Sequence, residues 1–168
     1  EDEVVFTPSN DNYTYSVEEL IEFYTCNKVD NIIMINPDNP SGNYLKKEEI
    51  IRLIKWTDSQ GIKLVVDESF ADFSDEPDNS LIEQKFIETY SRLYVMKSIS
   101  KSYGVPGLRL GILVSSDTET IAAMKKDVAI WNINSFAEFY MQIFNKYEQD
   151  YKQACRLFIR ERDRFYVD

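Results

Sequence analysis

Short apolar runs alternate along the chain with stretches whose apolar residues recur at helical spacing. Three five-residue runs predict buried strands, at 31–35, 63–67 and 92–96. A fourth run, 110–114, follows a glycine-rich turn, and residues 4–6 are a candidate edge strand. Continuous apolar runs of this length, separated by helices, are typical of strands buried on both faces of a parallel sheet.

The stretches between these runs predict helices with defined starts. Ser16 with Glu19, and Ser135 with Glu138, have the spacing of a capping box, in which each side chain bonds the other's backbone. Asp117 is placed to cap a further helix.

The end of the chain, from 148 to 168, is highly charged with a thin apolar stripe and predicts a long, half-exposed helix. Together with the strands, the alternation predicts an α/β fold with a mostly parallel sheet and flanking helices.

The amino-acid composition says little about the fold, but it excludes several kinds of partner and catalytic site. The 168 residues carry a net charge of −10, which argues against nucleic-acid binding and a polybasic membrane surface. The chain has no histidine, which excludes Ser-His-Asp and Cys-His nucleophile systems and histidine-ligated zinc. No apolar run approaches the roughly 20 residues of a membrane span, and the acidic start is unlike a signal peptide. We therefore expect a cytoplasmic protein without nucleic-acid or membrane partners.

Polar clusters follow the first three predicted strands, at residues 36–42, 67–70 and 98–111. Ligands of open α/β sheets bind outside the carboxyl ends of the strands. Because parallel strands point the same way, we expect the three clusters to meet at one edge of the sheet.

The three clusters together resemble the motifs of fold-type I enzymes that depend on pyridoxal 5'-phosphate (PLP), the class I/II aminotransferases. Residues 36–42 read N-P-D-N-P-S-G, similar to the family's N-P-N-N-P-T-G, and residues 67–70 read D-E-S-F, similar to D-E-A-Y. Residues 98–111 match S-x-S-K-x-x-G-x-x-G-x-R-x-G. The resemblance is greatest to histidinol-phosphate aminotransferase and threonine-phosphate decarboxylase.

The resemblance implies two catalytic residues. Lys101 would form the Schiff base with the cofactor and then act as the general base that moves the substrate's α-proton. Asp67 would keep a proton on the pyridine nitrogen, because an adjacent carboxylate favours the charged ring that accepts electrons from the substrate.

The resemblance also implies further cofactor-binding residues. Asn39 would donate a hydrogen bond to the ring oxygen, and Arg109 and Ser98 would bind the phosphate, with Ser100 a weaker candidate. The tyrosine that usually contacts the ring oxygen is replaced by Phe70, which cannot donate a hydrogen bond.

The chain covers only the middle of the family's pattern. The resemblance assigns residues 1–145 to part of a large PLP-binding domain and 146–168 to a charged helix that leads toward a small C-terminal domain outside this sequence. It implies amino-group transfer between an amino acid or amino phosphate and a 2-oxo acid, in a protein that is a homodimer at full length. Two alternatives stay open: decarboxylation of a phosphorylated amino acid, and a catalytically incomplete scaffold.

One acidic stretch receives a plainer interpretation. Asp72, Asp75, Glu76 and Asp78, with Pro77 among them, lack the order of a calcium-binding loop and predict a solvated turn.

Overall fold

A four-stranded sheet with the order β1-β2-β3-β4 forms the centre of the protein. A computed structural model describes residues 3–76 and 79–167. Its strands are Asn31–Ile35 (β1), Lys63–Asp67 (β2), Leu93–Ser98 (β3) and Gly111–Val114 (β4). β1, β2 and β3 run parallel, and β4 pairs antiparallel with β3. The predicted α/β fold with a mostly parallel sheet is confirmed.

The helices of the described residues follow the predicted alternation. They are Val17–Cys26 (α1), Lys47–Gln60 (α2), Gln84–Thr89 (α3), Ile99–Ser102 (α4), Thr118–Asp127 (α5), Ser135–Ile143 (α6) and Glu148–Val167 (α7). Short 3₁₀ turns occupy Ala71–Phe73, Pro106–Leu108 and Phe144–Lys146. Across 3–76 and 79–167, none of the helices has both the length and the apolar character needed to cross a membrane.

Two of the three predicted helix caps are confirmed. Ser16 forms its capping box with Glu19, and Asp117 accepts a hydrogen bond from the backbone of its helix. The third cap was predicted one residue too late, because Asn134 rather than Ser135 caps α6. The Asn134 amide accepts from the backbone N of α6 at 3.0 Å and also donates to the Leu108 carbonyl at 2.8 Å, so it holds the helix start and anchors it to the 3₁₀ turn.

The helices of the described chain cover mainly one face of the sheet, so the prediction of strands buried on both faces is wrong for β1 and β2 and holds only for the first half of β3, where Leu93, Tyr94 and Val95 are all buried. Ile32 is 4% exposed, whereas its neighbour Ile33 is 74% exposed. The covered face packs against α1, α2 and α3. The core between the strands and these helices includes Val17, Leu20, Ile32, Met34, Ile50, Leu53, Ile54, Leu64, Val66, Ile87, Leu93 and Val95. We call the other side of the sheet the open face. The strands are apolar on both sides, but the described helices pack mainly on one side; on the open face, Asp117 at the start of α5 accepts from the Tyr94 hydroxyl and pairs with Lys63.

The candidate edge strand at residues 4–6 does not form. Val4 and Val5 are exposed, and the Phe6 ring packs edge-on against Tyr15 and Phe23, with centroids 5.7 and 5.3 Å apart. The aromatic contacts hold this segment beside α1 in place of backbone pairing.

Candidate active site

The three polar clusters meet at the carboxyl edge of the sheet, as the parallel topology predicts. The backbone N of Asn36 donates to the Asp67 carbonyl at 2.9 Å, which joins the end of β1 to the end of β2. The backbone N of Ser98 donates to the Ser69 hydroxyl at 2.8 Å, which joins the end of β3 to the segment after β2. The sheet therefore brings residues from distant parts of the sequence to one place.

A cleft of about 400 Å³ lies at this edge, on the open face. Asp67 pairs with Met96, and Met96 pairs with Leu113, so these three side chains stand on the same side of the sheet. The residues that line the cleft include Asp67, Met96, Ser98, Ser100, Arg109 and Leu113. Four of the six residues with a predicted role therefore share one cavity.

Asp67 is the carboxylate of this cleft. Its Oδ1 accepts hydrogen bonds from both the backbone N, at 2.9 Å, and the hydroxyl of Ser69. Its Oδ2 accepts no hydrogen bond from any residue in 3–76 or 79–167. One carboxylate oxygen is thus fixed by the protein while the other stays available to a donor in the cleft.

Ser98 and Arg109 supply the groups suited to an anion. Within the described ranges, the Ser98 hydroxyl has no hydrogen-bond partner and the Arg109 guanidinium has no ion pair. Arg109 adopts the left-handed backbone conformation, with φ of +53°, which is uncommon for a residue with a side chain. Such strained positions cluster at functional sites. A hydroxyl and a guanidinium without partners fit a phosphate.

Lys101 lies on α4, three residues beyond the end of β3, and its side chain is exposed. Its Nζ lies 5.4 Å from the centre of the Phe70 ring, a cation–π distance. Lys101 is not among the lining residues of the cleft, although Ser98 and Ser100 on the same turn are. The amine is therefore close to the cleft in sequence and free of a carboxylate partner in the described structure.

Two predicted residues do not offer a free polar group to the cleft. Asn39 lies exposed in the turn after β1, outside the cleft lining. Ser100 is buried, and its hydroxyl donates to the Leu110 carbonyl at 3.1 Å and accepts from the Leu110 backbone N at 2.7 Å. Both bonds join α4 to the segment before β4. Ser100 therefore fixes the start of α4, where its neighbours Ser98 and Lys101 lie. Asn36 acts in the same way through two bonds to Leu45.

The sequence did not reveal a buried ion pair on the covered face. Lys97 Nζ lies 2.6 Å from Asp72 Oδ1, and the two side chains are 8% and 15% exposed. The Tyr151 hydroxyl donates to Asp72 Oδ2 at 2.6 Å, and the Tyr151 ring stacks on Tyr103 at 4.1 Å. Burial, with Asp72 nearby, raises the pKa of Tyr151, so the phenol stays protonated and donates. This cluster ties α7 to β3, and its Lys97 lies four residues before Lys101 in the sequence.

The prediction of a solvated acidic turn is therefore wrong for Asp72, whose side chain is 15% exposed, whereas the side chain of Asp75 is 78% exposed and remains in solvent. Asp72 is ion-paired, Asp75 pairs with Arg162, and Glu76 accepts from the Tyr44 hydroxyl. Pro77 and Asp78 lie outside the described residues. Partners 25 and 87 residues away in sequence hold Asp72 and Asp75, a separation that local spacing cannot reveal.

Glu68, next to Asp67, is a second buried carboxylate that sequence reasoning missed. It is 2% exposed and accepts from the Ser80 hydroxyl at 2.6 Å and from the Leu81 backbone N at 2.9 Å. Burial raises the pKa of Glu68 above its usual value, and the two hydrogen bonds oppose this. Glu68 holds the loop before α3 and does not line the cleft.

Comparison with known proteins places this arrangement in a family. The family model for aminotransferase class I and II matches residues 2–168. An L-serine phosphate decarboxylase of Sulfurospirillum multivorans is 31% identical over 97% of this chain and 43% of its own length. A histidinol-phosphate aminotransferase of Ruminiclostridium cellulolyticum is 31% identical over 92% of this chain and 41% of its own.

Solved structures agree with these matches. The histidinol-phosphate aminotransferase from Clostridium acetobutylicum superposes with a TM-score of 0.80 at 28% identity, covering 97% of this chain and 47% of that one. A decarboxylase from Sulfurospirillum multivorans superposes with a TM-score of 0.82 at 28% identity over the same shares. The chain spans less than half the length of the relatives it matches.

The matches confirm the expected fold type and, at the level of the family, the expected enzyme class and cofactor. The relatives include both aminotransferases and decarboxylases. The matches therefore support a family of PLP-dependent enzymes and do not choose between the two reactions. On its sequence, its fold and the three strand-end motifs, the chain belongs to the aminotransferase class I and II family.

Proposed function

We propose that this chain supplies the central part of a PLP-dependent enzyme that transfers an amino group between an amino acid or amino phosphate and a 2-oxo acid. The observation that carries the proposal is the cleft on the open face. In the part of the chain that the structure describes, a carboxylate with one unpartnered oxygen, a free hydroxyl and a free guanidinium converge there, in Asp67, Ser98 and Arg109.

These residues fit the chemical parts of the cofactor. Arg109 and Ser98 would bind its phosphate by charge-assisted hydrogen bonds. Asp67 would accept a hydrogen bond from the ring nitrogen at Oδ2 and so favour the protonated ring. When bound, PLP supplies an aldehyde that condenses with amines and a ring that withdraws electrons from the substrate's α-carbon.

Lys101 is the amine that we assign to the cofactor and to proton transfer. Its side chain is exposed, and its contact is with the uncharged Phe70 ring, so no carboxylate has to be displaced. As a free amine it would take the proton from the substrate's α-carbon and return a proton at a different atom. Asn39 would reach the ring oxygen only if its turn approached the cleft.

Decarboxylation is the second candidate, because the serine phosphate decarboxylase is as similar to this chain as the aminotransferase is. The names of both relatives contain a phosphorylated amine, which supports an amino phosphate as the substrate class. The bond of the substrate's α-carbon that lies perpendicular to the ring decides between loss of a proton and loss of CO₂.

Titration of the protein with PLP tests cofactor binding at Lys101. We expect a visible absorption band from the covalent lysine adduct in the wild type and in Lys125→Ala, and its loss in Lys101→Ala. Lys125 is a matched control because it is an exposed lysine on another helix. Equal bands in Lys101→Ala and the wild type would contradict the assignment, and absence of a band in all three would favour the incomplete scaffold.

A second assay separates the two reactions. The holoenzyme is incubated with serine phosphate and a 2-oxo acid, and both the new amino acid and the released CO₂ are measured. Amino acid without CO₂ supports transamination, and CO₂ without amino acid supports the decarboxylase.

We further propose that the full-length protein is a homodimer in which residues 1–145 belong to a large domain and 146–168 lead to a smaller one. Large apolar side chains stand exposed around α6, such as Trp131 at 89% and Phe136 at 78%, which supports a contact with another chain or segment. The molar mass of the full-length protein by light scattering tests this, and a monomer would contradict it.

A further inference from the structure

Ser69 makes an unusual set of bonds for a residue beside the cleft. It is 5% exposed, and its backbone N and its hydroxyl both donate to the same oxygen of Asp67. Because Oδ1 receives both bonds, the carboxylate plane is held and Oδ2 is left for another donor.

The same hydroxyl joins two strands. It accepts a hydrogen bond from the Ser98 backbone N at 2.8 Å. An amide N–H can only donate, so the Ser69 hydroxyl accepts from Ser98 and its own proton points to Asp67. The donor and acceptor of each hydrogen bond are therefore fixed. The chain runs from Ser98, at the end of β3, through Ser69 to Asp67, at the end of β2.

We propose that Ser69 is a positioning residue that aims Asp67 Oδ2 at the ring nitrogen of the cofactor and sets its distance from the Ser98 turn. This inference rests on the proposed function. Ser69 acts through Asp67, so its effect depends on the ligand having a ring N–H for Asp67 to bind. The hydroxyl is the feature that matters, since the backbone N bond would remain in any variant.

Alanine at this position would remove two hydrogen bonds at once. Asp67 would keep one of its two fixed partners and gain rotational freedom, and the Ser98 N–H would lose its acceptor. Loss of a hydrogen bond to a charged group predicts about tenfold weaker binding of a ligand that relies on Asp67. A ligand without the ring nitrogen gains nothing from Asp67, so the change can affect it only through the Ser98 turn, which both ligands share.

The experiment compares two probes on the same variants. PLP and its analogue with CH in place of the ring nitrogen are titrated into the wild type, Ser69→Ala, Ser69→Thr and Ser102→Ala. Ser102 is the matched control, because it is also buried on this edge but its hydroxyl donates to the Ser98 carbonyl and not to Asp67. Thermal denaturation without ligand verifies folding, and Ser69→Cys replaces Ser69→Ala if the latter does not fold.

We expect Ser69→Ala to weaken binding of PLP about tenfold more than binding of the analogue, because any loss through the Ser98 turn is shared by both ligands, and Ser69→Thr to keep the wild-type affinity. In an Asp67→Asn background, Ser69→Ala should affect PLP and the analogue equally. Equal weakening of both probes, or no weakening of either, would overturn the inference while leaving the cofactor site intact. A wild-type chain that binds neither probe would instead contradict the proposed function itself.

Discussion

The two faces of the sheet differ in what they do, although the same strands supply both. On the covered face, alternate residues of each strand pack into the core, and even the charged group there, Lys97, is buried and paired with Asp72. On the open face, Ile33 and Met96 stay accessible although Tyr94 is covered, and within residues 3–76 and 79–167 Asp67 and Ser98 keep polar atoms without partners. Neighbouring residues of a strand thus have different roles. Those on the covered face stabilise the fold, and those on the open face line the candidate site.

The comparison also separates two lysines that are four residues apart. Lys97 lies at the margin of the cleft, but its amine is buried and paired with Asp72, so it has a structural role. Lys101 is exposed beside an uncharged ring and is available for chemistry. Residue type alone does not distinguish the two; what does is that Lys97 lies within β3, whereas Lys101 lies on α4 beyond the end of the strand.

The largest expected effect contrasts two adjacent isoleucines of β1. Ile32→Ala, on the covered face, should lower the free energy of unfolding by about 3 kcal/mol because it leaves a cavity in the core. Ile33→Ala, on the open face, should lower it by less than about 1 kcal/mol. Urea denaturation of both variants measures the difference, and similar losses would show that the open face is buried in solution.

Removal of the buried cation should have the next largest effect. Lys97→Met leaves the Asp72 carboxylate without its ion pair and should cost about 2 kcal/mol of unfolding free energy. The double variant Lys97→Met/Asp72→Asn should lose less, since no buried charge is then unpaired. A double variant that is less stable than Lys97→Met would contradict this account of the pair.

Loss of the Tyr151–Asp72 hydrogen bond, which holds α7, should destabilise the protein less than loss of the Lys97–Asp72 ion pair. Tyr151→Phe removes the hydrogen bond to Asp72 and keeps the ring stacked on Tyr103, so it should cost about 1 kcal/mol. The bond joins α7 to the 3₁₀ turn Ala71–Phe73, so in Tyr151→Phe amides of Glu148–Val167 should exchange hydrogen several times faster while those of β2 stay unchanged. Uniform acceleration in both elements would mean that Tyr151 stabilises the whole fold.

The smallest expected effect is a pH slope from Glu68. Burial raises the pKa of Glu68 in the folded state, so between its ordinary value of 4.5 and the raised one the folded protein binds more protons than the unfolded chain. Stability should therefore fall as pH rises through that interval, and Glu68→Gln should remove this part of the slope. Urea denaturation at several pH values compares the two, and parallel profiles would refute the assignment.

The sequence was most informative where the chemistry is local. The strands at 31–35 and 63–67 were located by their apolar runs, and the parallel order placed Asp67 and Ser98 at one edge. Long-range pairing was not accessible in this way: Tyr151 and Asp72 are 79 residues apart, and neither belongs to a motif. Likewise, Ser100 resembles Ser98 in the motif, but its burial against Leu110 becomes visible only in the fold.

Reductive trapping tests the central claim, that the open face presents a cofactor site served by Lys101, most directly. The protein is mixed with PLP, reduced with borohydride and digested, and the modified lysine is located by mass mapping. We predict that the label lies on Lys101 and that Arg109→Ala and Asp67→Ala reduce it by weakening binding. A label on Lys97, or one scattered over surface lysines such as Lys125, would contradict the division between the two faces and the site proposed on it.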